Sequence, residues 1–217
     1  MGCIGWTLPL VWVGFASYSL RSTIRTRSAR RRTAAPVSTA VASTVRRPHP
    51  LPSCAVATDP PADLILTPLK GEGRTVEEWL TVFHLVSVVV DPYTNESAWV
   101  LDVAARILRE FSDAAVRVNW IVTADADDAR AFLGPLASEL LTFTDPDRTA
   151  VKALGLERLP AFVFVLMDGT VAAAAEGWDP LAWRKVADTI ATAVKWSRPV
   201  IPEPGDPHAF EGSPALL

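Results

Sequence analysis

Two hydroxyls, Thr94 and Ser97, stand three residues apart in the stretch Asp91-Pro-Tyr-Thr-Asn-Glu-Ser97. That stretch joins the apolar run Val86-Ser-Val-Val-Val90 to a long helical pattern, so both hydroxyls sit where a strand turns into a helix. A helix N-terminus favours negative charge through its dipole and its open N–H groups. A thiol placed there becomes a working nucleophile because its pKa falls. An alcohol is a weaker acid than cysteine, whose ordinary pKa is about 8.5, by roughly five or more units, and it forms no disulfide. The chemistry open to this spacing is therefore hydrogen bonding: capping the helix, holding a ligand, or steadying a bound small thiol. Tyr93 adds a third hydroxyl. Asp91 and Glu96 would oppose a thiolate beside them, and no Lys or Arg lies close in sequence.

Few other residues are spaced for chemistry. Cys3 and Cys54 lie 51 positions apart, and neither they nor His49, His84 and His208 match a metal-binding spacing, so no metal is expected. Asp125, Asp127 and Asp128 read as a helix start, where carboxylates cap and complement the dipole. His84 falls inside an apolar run and reads as a core or edge histidine. Trp99, Trp178 and Trp183 could line a partner surface, with core packing as the default reading.

The charge is unevenly placed. Residues 1–47 carry eight Arg and no acid, whereas the rest carries 13 basic against 24 acidic side chains, an excess of 11 negative charges. An acidic domain with no basic stripe excludes nucleic acid as its partner. Apolar residues make up 49% of the 217 and mean hydropathy is +0.21, enough for a sizeable core.

Met1 to Leu20 is uncharged and mostly apolar, near the minimum of about twenty residues for a membrane span. As an anchor through residues 4–20 it would leave the following domain in the cytoplasm, because Arg21 and its neighbours come after it. Positive charge after the apolar run does not suit a cleaved signal peptide. Trp6 stands where a myristoylation signal needs Ser or Thr. Arg21 to Cys54 is acid-free, rich in Arg, Ser, Thr, Ala and Pro, and without periodicity. It reads as disordered, or as a reading frame from GC-rich bacterial DNA extended upstream of a start near Val56. The expected organisation is a basic disordered or membrane-anchor segment over 1–60, a folded domain over 61–197, and a Pro-rich tail over 198–217. The tail holds five prolines and reads as extended and mobile. The expected location is the cytoplasm, or the membrane if residues 1–20 act as an anchor.

The elements that must position the hydroxyls follow from periodicity. Leu64 to Thr67 is a short strand candidate, and Thr75-Val-Glu-Glu78 is a capping box opening a short helix. Phe83 to Val90 is a Val-rich strand suited to the middle of a sheet. Val100, Val103, Ala104, Ile107, Leu108 and Phe111 form a helical stripe over about 96–111, capped by Asn95 or Ser97. A strand over 116–122, a helix from Ala126 and a short strand over 140–143 come next. Asp145-Pro146 predicts a helix running to Leu154, with Asp145 as cap and Pro146 first, stopped by Gly155. Ala161 to Met167 and Thr170 to Ala175 flank Asp168-Gly169, a strong hairpin signal, and Asp179-Pro180 opens a last helix to about Trp196.

This order, with Leu159-Pro160 directly before an apolar strand, Asp168-Gly169 and Gly177, resembles the thioredoxin-like superfamily. The run from Thr144-Asp-Pro-Asp-Arg148 through Leu159-Pro-Ala-Phe-Val-Phe-Val165 is similar to the peroxiredoxin and TlpA/ResA-like branches, and the resemblance covers about Val82 to Val194. It implies an α/β, thioredoxin-like three-layer fold with a mixed central sheet flanked by helices. It also implies that Thr94-x-x-Ser97 occupies the place of Cys-x-x-Cys, and that Leu159-Pro160 is a cis peptide whose neighbouring backbone pairs with extended peptide or thiol ligands. The expected ligand site is Tyr93, Thr94, Asn95, Glu96, Ser97, Leu159 and Pro160. The expected function is a redox-inactive binding or scaffold module for a protein, peptide or small thiol, with no catalytic residue and no cofactor. The alternative is a thiol-dependent transferase or an oxidoreductase using an external thiol, with Ser97 or Tyr93 as hydroxyl activator, as in glutathione-transferase-type enzymes.

Overall fold

In a computed structural model of the chain, residues 57–216 are described. The expectations for residues 1–56, including the anchor at 4–20 and both cysteines, lie outside them. Among the described residues, no helix is long and apolar enough to cross a membrane.

The chain begins with β1 (Ile65–Pro68), β2 (Arg74–Thr75), α1 (Val76–Leu80) and β3 (His84–Val90). It continues through α2 (Asn95–Trp99), α3 (Leu101–Glu110), β4 (Val116–Val122), α4 (Ala126–Leu133), α5 (Leu136–Glu139) and β5 (Leu141–Thr144). It closes with α6 (Thr149–Ala153), β6 (Arg158–Leu159), β7 (Ala161–Val165), β8 (Val171–Glu176), α7 (Pro180–Val194) and β9 (Ser213–Pro214). Seven strands form one mixed sheet in the order β2-β1-β5-β4-β3-β7-β8. β3, β4 and β5 run parallel, while β1 and β7 pair antiparallel on either side of them.

The Val-rich pattern of β3 is explained by burial on both faces. Val86, Val88 and Val90 face the layer holding α3, α4 and α7, together with Trp120, Phe162 and Phe164. Leu85 and Val89 face the opposite layer, built on α1 and α6 with Phe143 and Val163. Helices therefore cover the sheet on both sides, the three-layer arrangement expected of an α/β chain. The largest aromatic group lies in the first layer. Trp183 stacks at 5.0 Å on Phe162 and meets Trp178 edge-on at 5.1 Å, with both indoles fully buried. Those two tryptophans are core, the default reading of the sequence, and are not available to a partner surface. Trp99 is exposed and sits edge-on against Phe210.

Three expectations change in detail. The stripe over 96–111 is two helices, α2 and α3, which meet at the buried Val100 (φ −99°, ψ −5°). The helix expected from Pro146 starts instead at Thr149, because Asp145 to Arg148 forms a tight turn with Arg148 in the left-handed region at φ 54°. Asp145 still does the capping. Its carboxylate accepts the Thr149 N–H at 2.7 Å, the Thr149 hydroxyl at 2.8 Å and the Val151 N–H at 3.1 Å.

The third change concerns the Pro-rich tail, which is packed onto the domain. Ile201 and Ala215 are buried. Arg106 Nη2 donates to the two Asp206 carboxylate oxygens at 2.8 and 3.0 Å, and its Nη1 donates to the Val200 carbonyl at 2.7 Å. The Trp178 indole N–H donates to the Pro207 carbonyl at 2.9 Å, and Trp178 and Phe210 exchange two backbone hydrogen bonds at 2.9 Å each. Proline lacks an N–H but keeps its carbonyl, so a proline-rich segment can dock through acceptors alone. The Leu159–Pro160 and Ile201–Pro202 peptides are cis.

Candidate functional site

Parallel strands bring their following loops to one edge of a sheet. Val90, Val122 and Thr144 end β3, β4 and β5 in register. The loops beginning at Asp91, Thr123 and Asp145 therefore gather at the carboxyl edge, where open α/β sheets bind ligands. β7 runs the other way, with Ala161 opposite Val89, so Pro160 comes to the same edge.

Asp91 organises the first loop from a buried position. One carboxylate oxygen accepts the Tyr93 N–H at 3.0 Å, and the other accepts Arg148 at 2.7 Å. The Asp91 N–H donates to the Ser97 hydroxyl at 2.9 Å. Thr94 and Ser97 hydroxyls lie 3.1 Å apart in a hydrogen bond, and Thr94 Oγ1 is also 3.1 Å from the Asp91 carbonyl. The two hydroxyls thus close the loop on itself. Thr94 occupies the N-cap position of α2, yet neither it, Asn95 nor Ser97 caps that helix by side chain, which corrects the capping expectation. Ser97 has no exposed surface, so its hydroxyl is a loop strut with no face toward a ligand. Tyr93 is exposed, Thr94 half-buried and Asn95 exposed, while Glu96 is half-buried.

Tyr93 donates its phenolic O–H to Asp128, at the start of α4. That hydrogen bond, reinforced by the charges of Asp128, Asp125 and Asp91, pushes the phenol up from 10.0 to about 12. A phenol held this way is a poor acid and has its proton committed, so Tyr93 does not suit the part of a thiol activator. Asp128→Asn removes the acceptor charge, and the Tyr93 titration followed by ultraviolet absorbance is expected to fall from about 12 toward 10.0. The acidic cluster is otherwise a helix start. Asp125 accepts the Asp127 and Asp128 N–H groups at 3.0 Å. His84 accepts the Met167 N–H at 3.0 Å and packs edge-on against Phe164.

Arg148 is the residue that sequence reasoning missed. It follows Asp91 by 57 positions, and the left-handed turn before α6 aims it at the loop. Its side chain is mostly buried, and its second donor reaches the Ala215 carbonyl at 2.7 Å. The loop thus has a cation, contrary to the purely acidic surroundings expected, but that cation is neutralised by Asp91. An Asp-Pro-Asp-Arg run just before a helix was the only signal for it.

Leu159 is fully buried, and its backbone is already paired. β6 forms a two-stranded ribbon with β9, with Leu159 opposite Ser213 and Arg158 opposite Pro214. The Ser213 hydroxyl donates to the Leu159 carbonyl at 3.3 Å, and the Ala215 N–H donates to the Glu157 carbonyl at 2.8 Å. Glu176 holds this stretch from the other side, accepting the Glu157 and Arg158 N–H groups at 3.1 and 3.0 Å. Burial nevertheless raises the Glu176 carboxyl above its ordinary value of 4.5, the two N–H bonds working against that rise. A carboxyl raised on folding favours the folded state while protonated, and that contribution is lost as pH climbs past 4.5 through the folded value. The stability of the protein relative to Glu176→Gln is therefore expected to decline from pH 4 to pH 7, measured by urea unfolding at each pH.

No family model matches the chain, and no curated protein matches it. Solved structures do. One from Chlorobium tepidum, assigned as a thiol:disulfide interchange protein DsbE, shares 16% identity, covers 65% of this chain and 99% of its own, and superposes with a TM-score of 0.54. A thioredoxin-type protein from Neisseria meningitidis shares 15% identity over 64% of this chain and 91% of its own, at a TM-score of 0.53. This chain has a thioredoxin-like fold. Peroxiredoxin Q of Xanthomonas campestris is similar at 16% identity, covering 64% and 95% of the two chains, with a TM-score of 0.49. In a thioredoxin-like fold, residues 91–97 are the strand-to-helix turn after the central β3. Between residues 55 and 217 the sequence holds no cysteine to place there.

Proposed function

We propose that the domain is a thioredoxin-fold binding module without thiol chemistry of its own, taking a protein, peptide or small-thiol partner at the carboxyl edge of the sheet. The observation that carries this reading is the closed hydroxyl network of Thr94 and Ser97 around the Asp91 backbone, at the position where the fold otherwise sets a nucleophile. A network with every hydroxyl engaged is a support for a surface, and the surface it supports consists of Tyr93, Thr94, Asn95 and Glu96, on the same sheet edge as the buried Pro160. Ser97 and Leu159 act within it by holding backbone. The activator reading gains nothing from a buried Ser97 or a Tyr93 bonded to Asp128. Location in the cytoplasm, free or through an anchor at residues 4–20, belongs to the same proposal and rests on the sequence.

The test is a comparison of partners captured by the full chain and by Thr94→Trp from the same cell extract, identified by mass spectrometry. A partner held by the unaltered chain and lost with the bulky indole is the expected result. Identical capture by both chains places binding elsewhere and overturns the loop as the site.

A further inference from the structure

The ribbon of β6 and β9 is separate from the main sheet, and within the described residues β9 is the only strand that β6 pairs with. We propose that residues Gly212–Ala215 are a tethered occupant of a peptide-binding edge, and that this edge takes in trans an extended segment of the same chemistry: a glycine, two further residues and a small apolar residue. The proposal rests on the reading of this edge as a binding surface and adds the ligand class and its competitor.

The contacts define what the edge accepts. The backbone of Leu159 supplies the pairing strand, and the Glu157 carbonyl takes the N–H of the residue at the Ala215 position. Arg148 donates to that residue's carbonyl at 2.7 Å, while Arg158 donates to the Gly212 carbonyl at 3.2 Å. Ala215 has no exposed surface, so only a small side chain fits there. Gly212 is required for two reasons. Its φ is +82°, and a Cβ would stand 2.5 Å from the Leu159 carbonyl oxygen and 3.0 Å from the Gly177 Cα. Pro214 costs the ribbon nothing it uses, because no hydrogen bond here calls on an N–H from that position. The pairing is short, spanning two register positions, and main-chain bonds with a pocket for one side chain are the means by which strand addition recognises peptides. Arg148 ties the occupant to the loop: when the segment leaves, the donor that held the Ala215 carbonyl is free for the carbonyl of an incoming chain, while Asp91 keeps the guanidinium in place.

A tethered segment competes at an effective concentration on the order of millimolar, which suppresses a peptide in trans by roughly a hundredfold or more. The probe is a fluorescein-labelled synthetic peptide of residues 210–216, titrated by anisotropy against the full chain, full-chain Gly212→Val and full-chain Ala215→Arg. Thermal melts confirm that each is folded. The expected result is saturable binding to both variants, at least roughly a hundredfold weaker binding to the unaltered chain, and no binding of a peptide carrying valine at its glycine. Folded variants that do not take up the peptide overturn the proposal, as does equal binding to the unaltered chain. Failure of both variants to fold also overturns it, since a removable occupant is not needed for folding. The outcome is separable from the loop test. Peptide uptake by Gly212→Val with no partner lost on Thr94→Trp keeps the edge and discards the loop, and the opposite pattern discards the edge alone.

Discussion

Asp91→Ala is expected to lower stability by about 3–5 kcal/mol, the usual consequence of leaving one charge of a buried pair alone. Asp91 is almost wholly buried, and its partner Arg148 is nearly so. Alanine would leave the guanidinium in place without its anion, and would also remove the acceptor for the Tyr93 N–H. Replacing both partners, as in Asp91→Ala with Arg148→Met, removes the stranded charge, and the double variant is expected to be more stable than Asp91→Ala alone. Urea unfolding of the two singles and the double gives the coupling directly. Additive losses would mean that the pair contributes nothing as a pair, and the role assigned to Arg148 at the loop would fall with it.

Trp183→Ala is expected to be at least as damaging, at about 3–5 kcal/mol, from the cavity left by a fully buried indole. The side chain fills the space between α7 and β7, stacks on Phe162, meets Trp178 edge-on, and donates its N–H to the Gly177 carbonyl at 2.8 Å. Gly177 and Trp178 are also where residues 210–212 dock, through the Trp178–Phe210 bridge and the close approach of Gly212 to Gly177. Loss of Trp183 should therefore loosen that segment as well as the core. Thermal unfolding, with hydrogen exchange at Phe210 and Ala215, would register both effects. Trp183→Phe, which keeps most of the ring volume, should recover the larger part of the melting temperature. A Trp183→Ala protein that melts within a few degrees of the unaltered chain would contradict this account of the core.

Local signals made much of this fold legible. The run Val86–Val90 announced a central strand because a strand covered on both faces is apolar nearly throughout, Ser87 being its one polar side chain. Asp168-Gly169 announced its hairpin, Asp179 its helix and Thr75 with Glu78 its capping box, each through a bond made within a few residues. The site was legible only in part. Thr94 and Ser97 could be placed at the carboxyl edge from the strand that precedes them, but the partner that fixes the loop lies 57 residues away, and no periodicity connects Arg148 to Asp91. The tail was misread for a related reason. Prolines remove donors, so the local pattern suggests an unstructured chain, whereas the contacts that fix this tail come from Arg106, Arg184 and Trp178 donating to its carboxylates and carbonyls. The helix after Asp145 shows the same limit on a small scale. The Asp-Pro pair was read as cap and first turn, yet the left-handed Arg148 moves the helix start to Thr149, and the same carboxylate caps it from farther back.

The proposal stands on a thioredoxin-like frame that carries no thiol chemistry of its own. The measurement that tests it most directly is disulfide reduction of insulin by the purified full chain with dithiothreitol as electron donor, beside Thr94→Cys/Ser97→Cys. The account predicts no rate above the background of dithiothreitol alone for the unaltered chain, and a measurable rate once both hydroxyls become thiols. Reduction by the unaltered chain that disappears in Cys3→Ser/Cys54→Ser would contradict it, because the chemistry would then reside in the two cysteines the loop does not contain.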